Sequence, residues 1–324
     1  MKIFECPECS SPVYFENMRC SCASELFYNP ETAGFSSQGI ACANRELLSC
    51  NWAARPGEAL CDSCVMTKVH PEPDVVQNLA LWARTEASKR WVLANLKQLG
   101  WFAAADTGPR PSFELLSETT STGADSPVMG HLAGKIIINV AEADPATLVD
   151  RREKMQEPFR TMVGHFRHEI SHFLFSRLSG SHPFLTRFRS LFGDETADYG
   201  DALQRYYETG AGEGWSDTHI SEYASAHPHE DWAETAAHVL HLLDLRDSAN
   251  AVGMTLPGTR FGAHDTRTAL NEGLDLGVAL NHMNRSMGLD DAYPFVIAPI
   301  VRDKLEFCAE QLNQKNRTGK LQPG

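Results

Sequence analysis

The fold of this chain is indicated most directly by the segment from His165 to His172, which reads HFRHEISH and contains the pattern H-E-x-x-H. Residues four apart lie on one face of a helix, so His168 and His172 can bind the same metal ion. Glu169, which lies beside them, can act as a base on a water molecule at that ion. The pattern is short enough to arise by chance in a chain with 13 histidines. Its value therefore depends on the surrounding sequence.

The residues around this pattern predict one amphipathic helix, from about Pro158 to Leu178. Proline suits the first turn of a helix, where its missing N–H costs no hydrogen bond. His165, His168 and His172 form a polar stripe along this helix. Apolar side chains recur at helical spacing and form a second stripe that would face the core. The members of this apolar stripe are Phe159, Met162, Val163, Phe166, Ile170, Phe173 and Leu174.

A second predicted helix, from about His229 through Leu243, supplies the remaining acidic candidates. Catalytic zinc takes three protein ligands and keeps one open position, so two histidines need a third ligand from elsewhere in the chain. Glu230 and Glu234 lie four residues apart on one face of this helix. One carboxylate of such a pair can bind the metal while the other holds a ligand histidine by a hydrogen bond. The spacing alone leaves both assignments open.

The cysteines predict two further metal sites. Eight of the nine lie in the first 64 residues, mostly as closely spaced pairs. In a chain without an export signal such pairs are typical of zinc sites, because thiols stay reduced and thiolates bind zinc well. Sequential pairing predicts two closed structural sites; an interleaved pairing of the same eight ligands remains open. The sequential sets are Cys6, Cys9, Cys20 and Cys22, and Cys42, Cys50, Cys61 and Cys64.

Charge argues against nucleic acid as a partner. The chain has a formal charge of −13, whereas nucleic-acid affinity depends on Lys and Arg at the phosphates. The first 70 residues carry five Lys and Arg against eight Asp and Glu, a net charge of −3. Each zinc bound by four thiolates would add about −2 to this balance. We therefore expect the cysteine sites to stabilise the fold rather than to bind DNA or RNA.

Two further observations bear on location. No run of 18 apolar residues is present, which argues against a membrane partner. The first seven residues, MKIFECP, have neither an apolar segment nor a cleavage site typical of export. We expect the protein in the cytoplasm. Its oligomeric state does not follow from the sequence.

The composition changes after His70, where Pro71-Glu72-Pro73-Asp74 predicts a hinge. We therefore expect a zinc-ribbon domain over residues 1–70, a second domain over residues 71–312 and a disordered tail over residues 313–324. A helix from about Val75 to Leu99 opens the second domain. Short strands are predicted near residues 113–116 and at residues 135–140, where the β-branched run KIIINV follows a glycine.

Several motifs in this order give the chain a family resemblance that covers all but the tail. It resembles the bacterial family called "putative zinc-binding metallopeptidases". The resemblance implies an α+β fold, with a small N-terminal zinc ribbon followed by a mainly helical, zincin-like metallopeptidase domain with a small sheet. The motifs that carry it, besides the cysteine-rich start, are Phe15-Glu16-Asn17, Cys50-Asn51-Trp52, Gly164 to Glu169, Phe192-Gly193-Asp194-Glu195 and His227 to Thr235.

A more distant likeness to lethal-factor-like zincins bears on the third ligand. In that group a helix opens with a zinc-binding glutamate, a second acid follows four residues later, and a tyrosine lies seven residues upstream. Tyr223, Glu230 and Glu234 stand at those offsets. The likeness implies Glu230 as the ligand, Glu234 as its neighbour and Tyr223 as a donor to the reacting carbonyl. Glu234 as the ligand is the alternative.

Together these features predict a zinc-dependent peptidase with one catalytic and two structural Zn²⁺ ions and a peptide or protein substrate. Glu169 would be the general base, and His165 would contact either the site or the substrate. Zincin architecture makes the strand Lys135 to Val140 a candidate sheet edge for an extended peptide, although the sequence fits a buried central strand equally well. The alternative function is a non-catalytic protein-interaction module with structural metal only.

Overall fold

The computed structural model describes residues 2–127, 129–155, 161–256, 265–293 and 297–314. The described residues form two compact units, one ending at Ile170 and the other beginning at Ser171. The domain boundaries expected at residues 70 and 312 stay predictions. Most of the expected tail, residues 315–324, lies outside the described residues, as do Pro158 and Phe159 at the start of the predicted active helix.

The chain begins with short antiparallel hairpins. Strands β1 and β2, β3 and β4, and β5 and β6 pair with one another, and each strand has only two or three residues. Strands this short cannot bury a core of their own, so other interactions must hold them. The elements are β1 Phe4–Glu5, β2 Pro12–Val13, β3 Phe27–Asn29, β4 Gly34–Ser36, β5 Ile40–Ala41, the helical turn α1 Arg45–Leu48, β6 Ala53–Ala54 and a 3₁₀ turn Cys64–Met66.

An aromatic cluster supplies part of that stabilisation. The ring of Tyr28, which is almost fully buried, lies 4.9–5.8 Å from the rings of Phe4, Phe15, Phe35 and Trp52. Most of these pairs meet edge to face, the arrangement that the aromatic quadrupole favours. The aromatic side chains thus supply apolar contacts that strands of two or three residues cannot make among themselves.

A four-stranded sheet follows, in the order β11-β12-β8-β7. The pairs β12–β8 and β8–β7 are parallel, and β11 is antiparallel to β12. A separate hairpin, β9 with β10, lies between β8 and β11 in the chain. The strands are β7 Thr67–Val69, β8 Ser112–Leu116, β9 Thr119–Thr120, β10 Gly123–Ala124, β11 Gly130–Leu132 and β12 Lys135–Asn139.

Strand β12 confirms the predicted β-branched strand, but it is not a sheet edge. It pairs with β8 on one side and with β11 on the other. Its Ile136 and Ile138 are fully buried, as are Phe113 and Leu115 of β8. The interpretation of this strand as the edge for a peptide is therefore wrong, and the central-strand interpretation holds. Among the described strands, β11 and β7 form the edges of this sheet.

Helix α2, Asn78–Gln98, confirms the predicted long helix that follows the hinge. It carries a buried ion pair, in which Lys89 Nζ lies 2.9 Å from the Glu86 carboxylate. The same ammonium group donates to Thr67 Oγ1 of β7 and lies over the ring of Phe113 in β8. Because Lys89 and Glu86 are both fully buried, each charge depends on the other for compensation. The pair fastens α2 to the sheet.

The remainder of the chain is mainly helical, with short 3₁₀ turns between some helices. The helices of this part are α3 Pro145–Met155, α4 Met162–Leu178, α5 His182–Phe192, α6 Tyr199–Thr209, α7 Pro228–Ala251, α8 Thr266–Ser286 and α9 Pro299–Leu312. The 3₁₀ turns are Val140–Ala143, Trp215–Asp217 and Tyr223–Ala226.

Helix α7 lies at the centre of the second unit. Its Trp232 is fully buried, and the indole ring contacts the rings of Phe175, Phe184, Phe192 and Phe307. These rings come from helices α4, α5 and α9, so one tryptophan joins four helices. The predicted helix around residues 229–243 is confirmed, and it extends eight residues further than expected.

The predicted α+β class is confirmed, with two four-cysteine clusters at the N-terminus and a mainly helical C-terminal part. None of the helices within the described ranges combines the length and apolar composition that a bilayer span requires.

We expect Lys89→Met to lower the free energy of unfolding by about 3–5 kcal/mol, because it leaves the Glu86 carboxylate buried without a countercharge. The double variant Glu86→Met/Lys89→Met should recover most of this loss. Denaturant unfolding followed by tryptophan fluorescence measures both. Arg19→Met is the control: its ion pair with Glu25 is largely exposed and should contribute at most about 1 kcal/mol. Equal unfolding free energies for Lys89→Met and Arg19→Met would contradict the assigned role.

Candidate metal centre

Helix α4 carries the H-E-x-x-H pattern and confirms that this segment is helical. Its apolar stripe is buried: Phe166, Ile170 and Leu174 have no exposed surface. His168 and His172 lie one turn apart and are half-buried. The helical period places the two imidazoles on one face of α4. The buried apolar stripe fixes the rotation of the helix about its axis and so sets the direction of that face.

Helix α7 supplies the third group at its first turn. His227 caps this helix: its Nδ1 accepts a hydrogen bond of 3.0 Å from the backbone N–H of His229. Nδ1 is thus unprotonated, and Nε2–H donates to the carbonyl oxygen of Ala197 at 3.1 Å. Pro228 follows at the first helical position, and Glu230 lies in the first turn, where the helix dipole favours a negative charge.

A hydrogen bond fixes the register of α7 against α4. The indole Nε1 of Trp232 donates to the backbone carbonyl of Ser171 at 2.9 Å. Ser171 directly precedes His172, and Trp232 lies two residues after Glu230. The two ligand-bearing turns are therefore joined by a buried bond that involves neither candidate ligand.

The three groups converge. One nitrogen each of His168 and His172 and one carboxylate oxygen of Glu230 lie within 4.8 Å of one another. His172 Nε2 is 3.4 Å from Glu230 Oε2. A charge-assisted hydrogen bond spans only about 2.7–2.9 Å. The edge of a tetrahedron around zinc is about 3.3 Å for ligand bonds of about 2.0–2.1 Å. The donor atoms and their spacing therefore fit a zinc ion.

Glu230 and the next residue, Asp231, are both almost fully buried, and their charges are balanced differently. Lys304 of α9 reaches Asp231 Oδ2 at 2.5 Å. Burial raises the pKa of Asp231 to about 6, and the charge of Lys304 acts in the opposite direction. Glu230 faces the two histidines instead, and a cation held there would balance its charge. The donor chemistry of this turn thus matches a divalent metal.

The second acid of α7, Glu234, contacts the segment that precedes the helix. Ser221 Oγ donates to Glu234 Oε2 at 2.7 Å, and it accepts from the backbone N–H of Ala224 at 3.1 Å. Tyr223 lies in the same segment, half-buried, with its ring 5.7 Å from that of Tyr206. The structure thus groups Glu230 with the histidines and brings Glu234 to the loop that carries Tyr223.

Glu169 lies on α4 next to His168 and is largely buried. Within the described part of the chain, its Oε2 is buried and makes no hydrogen bond. A buried carboxylate oxygen without a donor is costly in a purely structural role, and such atoms are common where a protein binds or reacts.

His165 faces a different set of groups. Its Nε2 lies 2.7 Å from Glu142 Oε2, and the other oxygen of Glu142 accepts from Arg151 at 2.7 Å. Arg151 also contacts Glu118, which accepts from Asn139 at the end of β12. His165 is thus tied to the turn that follows β12, and its expected role at the site or on the substrate stays a prediction.

Tyr199 is a neighbour of the site that the sequence does not predict. Its hydroxyl donates to Glu230 Oε1 at 2.6 Å. It lies 31 residues before Glu230 in a different helix, so no local spacing links the two. The sequence signals only that Asp198 before it can cap a helix.

The eight N-terminal cysteines form the two sequential sets. In the first set the Sγ atoms of Cys6 and Cys22 are 3.8 Å apart and those of Cys9 and Cys20 are 3.6 Å apart. In the second set, Cys50 Sγ lies 3.6 Å from that of Cys61 and 3.7 Å from that of Cys64. Four thiolates around zinc at about 2.3 Å are about 3.8 Å apart. Both clusters therefore fit closed zinc sites.

The two clusters differ in exposure. All four cysteines of the second cluster are buried, whereas Cys9 and Cys22 of the first are exposed. The sulfur atoms of Cys9 and Cys22 each contact a serine hydroxyl at the surface, those of Ser11 and Ser24. Reagents in solution can thus reach the first cluster directly.

Comparisons with known proteins agree with this chemistry. A family described as "Putative zinc-binding metallo-peptidase" matches residues 78–311. The chain is also 39% identical over 328 residues to uncharacterized proteins of Mycobacterium bovis and of two strains of Mycobacterium tuberculosis. Each alignment covers 95% of this chain and 94% of the relative. No solved structure matches the chain.

We expect an alkylating reagent to modify Cys9 and Cys22 of the zinc-loaded protein first, because only exposed sulfurs are within its reach. Peptide mapping by mass spectrometry at increasing reaction times measures the order. Cys308, fully buried in α9 and outside both clusters, is the internal control for unfolding. Modification of the second cluster before the first, with Cys308 intact, would contradict the difference in accessibility.

Proposed function

This chain belongs to the family described as "Putative zinc-binding metallo-peptidase", and from that premise we propose that it is a zinc-dependent peptidase. The observation that carries the proposal is the convergence of His168, His172 and Glu230 at one turn of α4 and one turn of α7. Two imidazoles and a carboxylate are the ligand set of zinc peptidases that keep one coordination position open.

The assigned ligands are His168, His172 and Glu230. The ion would supply a Lewis acid that polarises the peptide carbonyl and makes a water molecule acidic near neutral pH. The 3.4 Å separation between His172 and Glu230 supports Glu230, since Glu234 is engaged by Ser221. We therefore favour Glu230 over Glu234 as the third ligand.

Glu169 is the proposed general base. It would accept a proton from the attacking water and later deliver a proton to the leaving amine, so that the peptide bond breaks without releasing a strong base. Its position next to His168 supports this role, as does its Oε2, which is buried and has no hydrogen bond from any described residue. A carboxylate that is already fully hydrogen-bonded would have to break such bonds before it could accept a proton.

Tyr223 is the proposed donor to the developing oxyanion, and Glu234 supports its segment. The bond from Ser221 to Glu234 holds the turn Tyr223–Ala226 against α7. A phenol O–H aimed at the reacting carbonyl would stabilise the charge that grows there during attack. The half-buried position of Tyr223 is compatible with contact to a bound substrate.

The two cysteine clusters are assigned structural zinc, which gives one catalytic and two structural ions per chain. Four thiolates leave no open position for a substrate, and such sites contribute directly to folding. The substrate class is a peptide or protein. We place the reaction in the cytoplasm, with no role for nucleic acid or membrane. A module that only binds proteins, with structural metal alone, is the competing function.

Glu169→Gln should lower the rate of hydrolysis by at least about 100-fold while zinc stays bound, because the amide cannot accept a proton. A proteome-wide cleavage profile compares wild type with this variant, and metal analysis verifies that the ion is retained. Identical profiles for the two proteins would show that Glu169 performs no hydrolysis on those substrates.

Wild-type protein should bind three zinc ions per chain. A chelator should remove one of them during dialysis before it removes the other two. The reason is that the site with three protein ligands is open, whereas the cysteine sites are closed. Native mass spectrometry counts the ions. Glu230→Gln should lose the fast ion only, and Glu222→Gln, an exposed acid near the same segment, should keep all three. Only two ions in the wild type would favour the binding module.

A further inference from the structure

Tyr199 holds one oxygen of the candidate ligand Glu230. It is the first residue of α6, and its side chain is 44% exposed, whereas Glu230 is 1% exposed. The phenol O–H donates to Oε1 at 2.6 Å. The other oxygen, Oε2, is the one that lies 3.4 Å from His172 Nε2. The two oxygens of Glu230 thus have separate partners.

The position of Tyr199 is set without the metal. The preceding residue, Asp198, caps α6 by accepting from the backbone N–H of Asp201 at 2.8 Å. Ala197 accepts from the ring of His227, the cap of α7, at 3.1 Å. The ring of Tyr199 meets that of His227 at 5.2 Å, edge to face. The start of α6 therefore contacts His227, the cap of α7, and from this position the phenol of Tyr199 reaches Glu230.

We propose that Tyr199 is a positioning residue that fixes Glu230 as a one-oxygen ligand of the metal. A carboxylate can rotate about its last side-chain bond and can bind a cation through one oxygen or both. A strong hydrogen bond to Oε1 removes that freedom and presents Oε2 beside His172. This leaves a coordination position open, which catalytic zinc requires. The inference rests on the proposed function to the extent that Glu230 must be a ligand.

Groups of this kind that hydrogen-bond a metal ligand affect both the affinity and the geometry of the site, and their loss costs about 10–100-fold in metal affinity. Tyr199 donates to Glu230, which belongs to the histidine site, so its removal should affect one ion only. Because the phenol donates to a buried carboxylate, its loss should also lower the stability of the metal-free chain modestly, so the fold of each variant is verified separately from its zinc affinity.

The experiment compares Tyr199→Phe with Tyr207→Phe in the full chain with its two cysteine-bound zinc ions in place. Tyr207 lies on the same helix, is 67% exposed and serves as the matched control. Competition with a chromophoric chelator measures the dissociation constant of the readily exchanged zinc. We expect a rise of about 10–100-fold for Tyr199→Phe and no change for Tyr207→Phe. Circular dichroism should show that both variants lacking that ion are fully folded at the temperature of the titration.

Three results would overturn the proposal. The first is unchanged zinc affinity in Tyr199→Phe while Glu230→Gln loses zinc. The second is weaker affinity in a Tyr199→Phe protein that is partly unfolded at the temperature of the titration, which would show a structural role. The third is unchanged affinity in Glu230→Gln itself, which would remove the metal site and the role of Tyr199 together. A zinc effect of Tyr199→Phe in a chain that cleaves no peptide would support the positioning role and contradict only the hydrolytic function.

Discussion

The burial of two consecutive carboxylates at the start of α7 is the constraint on which the rest of this structure depends. A buried carboxylate is tolerated only beside a positive charge or strong donors. Successive residues of a helix point about 100° apart, so Glu230 and Asp231 face different neighbours. Asp231 meets the ammonium group of Lys304 on α9. Glu230 meets two imidazoles and a phenol, which is the environment of a metal ligand. In the first turn of α7, Asp231 therefore contacts the neighbouring helix α9, and Glu230 faces the candidate site.

The short strands of the N-terminal region need stabilisation from outside the strands themselves. These strands have two or three residues each, so they cannot bury enough apolar surface to offset the entropy of ordering the chain. The aromatic cluster around Tyr28 and the two cysteine clusters supply what the strands lack. The Sγ separations of 3.6–3.8 Å match the ligand spacing around zinc, so zinc bound there would share the stabilisation with the aromatic rings.

The features that the sequence predicts are those set by local spacing. The H-E-x-x-H helix, the helix that bears Glu230 and the division of the cysteines into two sets each depend on residues a few positions apart. The features that the sequence does not reveal involve distant partners. Strand β12 is central because β8 and β11 pair with it, which its own five residues do not encode. Tyr199 reaches Glu230 across 31 residues, and His165 meets Glu142 across 23, so neither contact leaves a periodic signal.

The bond from Trp232 to the Ser171 carbonyl has a consequence for how the chain would acquire its metals. It joins the two ligand-bearing turns through the core, so that half of the site exists before any ion arrives. An ion bound there need not be present during folding, whereas ions held by the cysteine clusters would contribute to folding itself. The supply of zinc in the cell would then act on the protein at two times. It would limit how many chains fold at synthesis, and it would later set what fraction of the folded chains carries an ion at this site.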